Sequence, residues 1–95
     1  MAFYVLCESV RPGLIEGEVT AELKTFHGKT EFVRAPSDGI HPVGKKQYLD
    51  VGVVRAHSET GSYLIQLPSE ADSGANRIWV KAESVMEAET EGVTR

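Results

Sequence analysis

The chain has 95 residues, of which 41% are hydrophobic and 25% are charged, and its formal net charge is −4. This length supports one domain with a modest core, and the ordinary composition excludes a wholly disordered chain. The acidic balance argues against general nucleic-acid binding, which usually needs a basic surface. We therefore expect a single domain over residues 1–88, followed by an acidic flexible tail over 89–95.

The sequence contains one cysteine, Cys7, so no disulfide can form within it. The first ten residues are apolar but carry no basic leader, and Glu8 interrupts them early, which is unlike a secretory signal. No run approaches the about 18 apolar residues that a membrane-spanning helix requires. These features predict a cytoplasmic protein.

The first part of the chain predicts two strands separated by a turn. Residues 3–10 are apolar on both faces, as in a buried strand, and Arg11-Pro12-Gly13 is a turn signal. Residues 16–24 alternate between apolar and polar side chains, which is the period of a half-buried strand and not of a helix.

A turn at His27-Gly28 is predicted to fold this second strand back on the chain that follows, because glycine tolerates a positive φ. The resulting hairpin brings three favourable cross-strand pairs together. The predicted pairs are Leu23–Phe32, Lys24–Glu31 and Thr25–Thr30.

Residues 35–47 hold two prolines and two glycines without periodicity, so they are predicted as a long loop. A second hairpin is predicted from residues 48–58 and 63–67 around a Thr60-Gly61 turn. A bulge near Gly52 would bring the two halves of its first strand into phase. The predicted register is Val54–Leu67, Arg55–Gln66, Ala56–Ile65 and His57–Leu64.

The last part of the chain completes the all-β pattern. Ile78 and Val80 occupy one face of a short strand, and Arg77 and Trp79 occupy the other. The predicted elements are a polar loop at 68–76, the strand at 77–80, one helical turn at 81–84 and a short strand at 85–86.

This order of elements is similar to that of a Src-homology-three-like small barrel. There, a strand pair with a long excursion precedes a hairpin, a further strand, one 3₁₀ turn and a short closing strand. The resemblance implies a small, partly open antiparallel barrel of five to six strands, with one short helical turn near Ala82. Barrels of this kind include peptide binders, nucleic-acid binders and inert subunits of assemblies, so the fold alone assigns no function.

Aromatic and arginine side chains are predicted on the outer face of the second hairpin and of the strand after it. Exposed Trp and Tyr beside Arg dominate protein interfaces. The leading hypothesis is therefore a small non-enzymatic protein-interaction or accessory module. Its predicted anchors are Tyr48, Arg55, His57, Arg77 and Trp79.

Two alternative hypotheses concern the same region. Lys45, Lys46, Arg77 and Lys81 beside the aromatic rings would suit a single-stranded nucleic acid, whose bases stack and whose phosphates need cations. Alternatively, exposed strand edges would pair copies of the chain into a homo-oligomer that has no ligand.

The sequence contains no recognisable reaction chemistry. Cys7 is interpreted as a small buried hydrophobe, and His27, His41 and His57 are not at metal-ligand spacing. The oxygen-rich segment 69–74 lacks the carboxylate pattern of a calcium loop. We therefore predict no enzymatic activity, no cofactor and no bound metal.

Overall fold

The computed structural model describes residues 2–88, and the acidic flexible tail predicted over 89–95 lies outside this range. Residues 2–88 form nine strands and two 3₁₀ turns, and the paired strands are antiparallel. The predicted all-β, antiparallel class is confirmed, although with more strands than the five to six expected. The strands are β1 (Ala2–Cys7), β2 (Ser9–Pro12), β3 (Glu18–Lys24), β4 (Thr30–Pro36), β5 (Ile40–Val43), β6 (Lys46–His57), β7 (Ser62–Gln66), β8 (Arg77–Lys81) and β9 (Val85–Ala88); the 3₁₀ turns are Ser37–Gly39 and Ala82–Ser84.

The strands form two sheets that share one core. The larger sheet has the order β8-β7-β6-β1-β9, with β5 also paired to β6, and the smaller sheet has the order β2-β3-β4. Because the path of the larger sheet ends at β8 and at β9, it does not close into a barrel within residues 2–88. The largest fully buried side chains come from both sheets and are Val5, Leu23, Val33, Leu49, Ile65 and Val80.

The single strand predicted at the start of the chain is in fact two strands. The chain bends at Glu8, whose N–H donates to the Glu22 carbonyl at 2.7 Å. Cys7 is the last residue paired with β6, whereas Ser9 is the first residue paired with β3. The bend therefore passes the chain from one sheet to the other. Strand β2 continues through Pro12, where a turn was expected, because an edge strand tolerates proline.

The first predicted hairpin is present as β3 and β4, but its turn differs from the expected one. The Gly28 N–H donates to the Thr25 carbonyl at 2.9 Å, and the Thr25 N–H donates to the Lys29 carbonyl at 2.8 Å. Gly28 has a φ of +86°. The loop therefore holds three residues and ends in a left-handed glycine, which is the geometry of a G1 bulge.

This longer loop shifts the register by one residue and exchanges the faces of β4. Leu23 pairs with Glu31 and not with Phe32, so that prediction is wrong. Glu31 is only 8% exposed, whereas Phe32 is 39% exposed. The Ser73 hydroxyl donates to Glu31 Oε1 at 2.6 Å, as a buried carboxylate requires a hydrogen-bond partner.

The prediction of a long loop over 35–47 is also wrong. Strand β4 runs to Pro36, and after the 3₁₀ turn β5 pairs with the start of β6. Pro42 and the lack of alternation hide β5 from the sequence pattern. An edge strand accepts both, because only one of its sides takes part in the ladder.

The second predicted hairpin is present as β6 and β7, with a different register. Arg55 pairs with Leu64 and not with Gln66. The register shifts at Val54, so the bulge lies two positions after the predicted site at Gly52. A bulge bends its strand, and this one lies within the part of β6 that pairs with β7, two residues after that pairing begins at Gly52.

The last part of the chain agrees with the sequence pattern. Ile78 and Val80 are buried on β8, and a 3₁₀ turn precedes β9, which pairs with β1. The β7–β8 loop lies along the outer edge of β4, where the Asp72 N–H donates to the Phe32 carbonyl at 2.9 Å and the Ser69 hydroxyl donates to the Arg34 carbonyl. This loop therefore covers one exposed strand edge.

Candidate partner-binding surface

Four of the five predicted anchors lie on one face of the larger sheet. Arg55, Leu64 and Trp79 form a row across β6, β7 and β8, and directly opposed residues of antiparallel strands project to the same face. His57 and Arg77 are each two residues from that row along their own strands, so they share its face. We call this surface the outer face and define it by Arg55, His57, Arg77, Trp79 and Lys81.

The fifth anchor, Tyr48, is not part of the outer face. It lies at the other end of β6, where it pairs with Leu6 of β1 and His41 of β5. The rise of a strand places it roughly 20 Å from Arg55. Its neighbours include the Tyr4 and His41 rings, whose centroids are 4.3 Å apart and whose planes are tilted by 58°. Tyr48 therefore belongs to a separate aromatic cluster.

A groove lies between the tips of the two hairpins at one end of the outer face. The Phe26 N–H donates to the Trp79 carbonyl at 2.7 Å, which docks the β3–β4 tip on β8. The His57 and Trp79 rings meet edge to face, with centroids 6.2 Å apart. The groove has a volume of about 240 Å³ and is lined by Phe26, His27, His57, Thr60 and Trp79.

The second hairpin tip is held in place by its own hydrogen bonds. Thr60 Oγ1 lies 3.0 Å from His57 Nδ1 and 2.6 Å from the Ser62 hydroxyl. The Gly61 carbonyl accepts a hydrogen bond from the Ala82 N–H at 2.8 Å, which joins the tip to the second 3₁₀ turn. A groove with fixed walls requires little ordering when a partner binds.

The outer face is cationic, although the chain is acidic. Over residues 2–88 the ion pairs are Arg34–Asp72 and His41–Asp50, so Arg55, Arg77 and Lys81 have no carboxylate within 4.0 Å in that range. Arg77 Nε instead donates to Gln66 Oε1 at 2.8 Å, which orients the guanidinium. Arg77 and Lys81 flank the half-buried Trp79 along β8, and Arg55 lies in the same row two strands away, beyond Leu64.

The four cations of the nucleic-acid hypothesis are not brought together. Lys45 lies in the β5–β6 turn and Lys46 begins β6. Lys81 pairs with Ser62, which in turn pairs with His57 at the far end of β6. The two ends of this strand are up to roughly 36 Å apart. A continuous phosphate track over all four residues is therefore absent from the described part of the chain.

Cys7 is buried in the core. Burial raises the pKa of the Cys7 thiol from 9.0 to about 11, so the thiol is protonated at neutral pH and lacks the thiolate that a nucleophile needs. No three His, Cys, Asp or Glu side chains within residues 2–88 are grouped closely enough to hold a metal ion. Over the same residues, no helix is long and apolar enough to cross a membrane.

Sequence reasoning missed Phe26 and Thr60 as groove residues and placed His27 only in a turn. The docking of one hairpin tip on a strand far along the chain, Phe26 on Trp79, has no local signal, since periodicity reports only which face of a strand is buried. An aromatic residue beside a turn signal was the available hint. Comparison of the chain with family models, curated proteins and solved structures gives no match.

Proposed function

We propose that this chain is a non-enzymatic protein-interaction module that binds an acidic segment of a partner protein on the outer face. The observation that carries the proposal is the group of three cations that have no ion-pair partner among residues 2–88 and share one face with a half-buried tryptophan, in a chain whose net charge is −4. Apolar side chains of the partner would enter the groove at Trp79, and its carboxylates would meet Arg55, Arg77 and Lys81.

Two features of the outer face support a protein partner. Trp and Arg are the residue types most enriched among interface residues whose truncation costs the most binding energy. The cations lie on strands within a rigid sheet, which fixes their spacing, and unlike charges across an interface steer association. The partner segment would need only a few residues in extended conformation to span the rows from Arg77 to Lys81.

Binding of two matched peptides tests this function. The probes are capped nonapeptides with three Ser-Leu-Glu repeats or three Ser-Leu-Lys repeats, titrated into the full ¹⁵N-labelled chain at low and at high salt. We expect the acidic peptide to shift the amide signals of Arg55, Leu64 and Trp79, with an affinity that falls as salt screens the charges. Trp79→Ala should weaken this binding by about tenfold or more, the loss typical of a central interface tryptophan.

A control variant and two further titrations separate the alternatives. Phe32→Ala removes an exposed aromatic side chain of β4 and should leave acidic-peptide binding unchanged. A preference of the same face for oligothymidylate would favour the nucleic-acid hypothesis instead. Signal shifts on simple dilution would favour the homo-oligomer. Acidic-peptide binding that is the same in Trp79→Ala as in the parent chain would contradict the proposed function.

We also propose that the fold is a variant of the Src-homology-three-like small barrel. The path β9-β1-β6-β7-β8, with a 3₁₀ turn between β8 and β9, supports this assignment. Strands β2 to β5 would then be the long excursion between β1 and β6. The buried, free Cys7 fits the reducing cytoplasm that the sequence favours, and a cytoplasmic location is part of the same proposal.

A further inference from the structure

A second groove lies at the junction of the two sheets, away from the hairpin tips. It consists of two adjoining cavities of about 550 Å³ and 510 Å³, which share Ala35 and Pro36 at the end of β4. Each cavity is within the size range of small ligand sites. Together they form an open groove that extends from the β2–β3 turn to the middle of β6. We call it the junction groove.

The lining of the junction groove includes three exposed apolar side chains, Ile15, Pro36 and Pro68. Leu49, Val51 and Leu67 lie beneath them, and each is at most 8% exposed, so these three belong to the core. Ile15 has 66% of its surface exposed. An isoleucine this exposed at the mouth of an apolar groove would lose water contact when a partner docks, which favours association.

One strand edge also opens into the junction groove. β5 and β7 both pair with the edge of β6 that is opposite to β1, because β1 occupies the other edge. The β5 pairing ends at Leu49 and the β7 pairing begins at Gly52. Asp50 and Val51 line the groove in this gap. The groove therefore reaches β6 between β5 and β7.

The rim of the junction groove is strongly acidic. Its lining residues include five carboxylates and one cation, Arg34, which lies 3.8 Å from Asp72. The rim therefore has the charge opposite to that of the outer face, and it favours a cationic partner. The five carboxylates are Glu16, Glu18, Asp38, Asp50 and Glu70.

We infer that the junction groove is a second docking site, which binds an extended protein segment that alternates apolar side chains with lysine or arginine. The apolar side chains of the segment pack on Ile15, Pro36 and Pro68, and its cations meet the carboxylate rim. The charge of the rim decides against an acidic segment. With the cationic outer face, this site makes the module bivalent: one face takes an acidic segment, and the other takes a basic one.

The two nonapeptides used for the outer face also test this second site, with the opposite expected preference. The Ser-Leu-Lys peptide should shift the amide signals of Ile15, Val51 and Leu67 in the full ¹⁵N-labelled chain, and the Ser-Leu-Glu peptide should not. The double variant Glu16→Lys/Glu70→Lys should weaken binding of the basic peptide by roughly fivefold, as expected for rim charges. Glu59→Lys, a charge reversal on the β6–β7 tip, is the control and should change the affinity for this peptide by less than about twofold.

These experiments can contradict the proposals for the two sites independently of each other. Trp79→Ala should leave binding of the basic peptide unchanged, so failure of the outer-face proposal does not affect this inference. Equal shifts of the junction-groove signals by both peptides would overturn it, because the charged rim would then have no role. Shifts of the same signals on dilution without peptide would also overturn it and would assign the groove to a second copy of the chain. Loss of basic-peptide affinity at high salt provides a test on the unmodified protein.

Discussion

The Ser73 hydroxyl donates a 2.6 Å hydrogen bond to the Glu31 carboxylate and joins the β7–β8 loop to the buried face of β4. The two residues are 42 positions apart in the chain. Glu31 faces the core beside Leu23, its cross-strand partner, which is fully buried. The bond therefore fixes a long-range contact and supplies a partner to an acidic side chain in an otherwise apolar layer.

Ser73→Ala should destabilise the fold by about 1–3 kcal/mol, because it removes one hydrogen-bond partner of a buried charged group. Urea unfolding followed by tryptophan fluorescence measures this loss. The double variant Glu31→Val/Ser73→Ala should recover stability relative to Ser73→Ala alone, since it leaves no unpaired polar group in the core. A double variant less stable than Ser73→Ala would show that Glu31 stabilises the fold through other contacts.

A side chain at Gly28 should destabilise the fold through the backbone conformation alone, without any steric clash. Gly28 has a φ of +86°, and a Cβ built there would meet no atom within 4 Å. Gly28→Ala should therefore cost about 1–2 kcal/mol, the penalty of a left-handed non-glycine residue. Gly39 is a matched control, because it has equal space and no positive φ. Gly39→Ala should change the free energy of unfolding by less than about 0.5 kcal/mol, and equal effects at both glycines would contradict this explanation.

The turn at Gly28 shows which part of this hairpin could be predicted from the sequence. Alternation at residues 16–24 and a glycine at 28 are enough to predict a hairpin. The choice between a two-residue and a three-residue loop is not encoded in that pattern, because Gly28 suits both. One residue of loop length moved Glu31 into the core and Phe32 outward. A register error of this size reverses every side chain on a strand.

The residues of the candidate surfaces could also be predicted only in part. The alternation of residues along β8 is enough to predict its two faces, so Arg77 and Trp79 were correctly placed on the face opposite to Ile78 and Val80. Tyr48 was grouped with them wrongly, because the bend at Val54 and the length of β6 appear only in the fold. The junction groove lines up residues from four separated segments. No local pattern in the sequence relates these segments to one another.

The buried thiol predicts a loss of stability at high pH. Burial raises the pKa of Cys7 from 9.0 to about 11. The unfolded chain therefore releases this proton first, and the contribution of Cys7 to stability is fully present below pH 9 and is lost as the pH rises to about 11. The loss amounts to up to about 3 kcal/mol, since each pKa unit corresponds to about 1.4 kcal/mol.

Comparison with Cys7→Ala isolates this effect from the other groups that titrate above pH 9. The stability difference between the parent chain and Cys7→Ala should favour the parent at pH 7, where the variant has a small cavity. The difference should shrink or reverse by pH 11. Urea unfolding at both pH values measures it, and a difference that does not change with pH would contradict a buried, protonated thiol.

The β2–β3 turn offers a matched pair of exposed apolar residues. Leu14 is 88% exposed and Ile15 is 66% exposed, but only Ile15 lines the junction groove. Leu14→Ser and Ile15→Ser should each change the free energy of unfolding by less than about 0.5 kcal/mol, as is usual for surface positions. Only Ile15→Ser should weaken binding of the Ser-Leu-Lys peptide, because it removes apolar surface from the groove. Urea unfolding and the peptide titration measure the two effects separately. Equal weakening by both substitutions would mean that general turn hydrophobicity, and not the junction groove, holds the peptide.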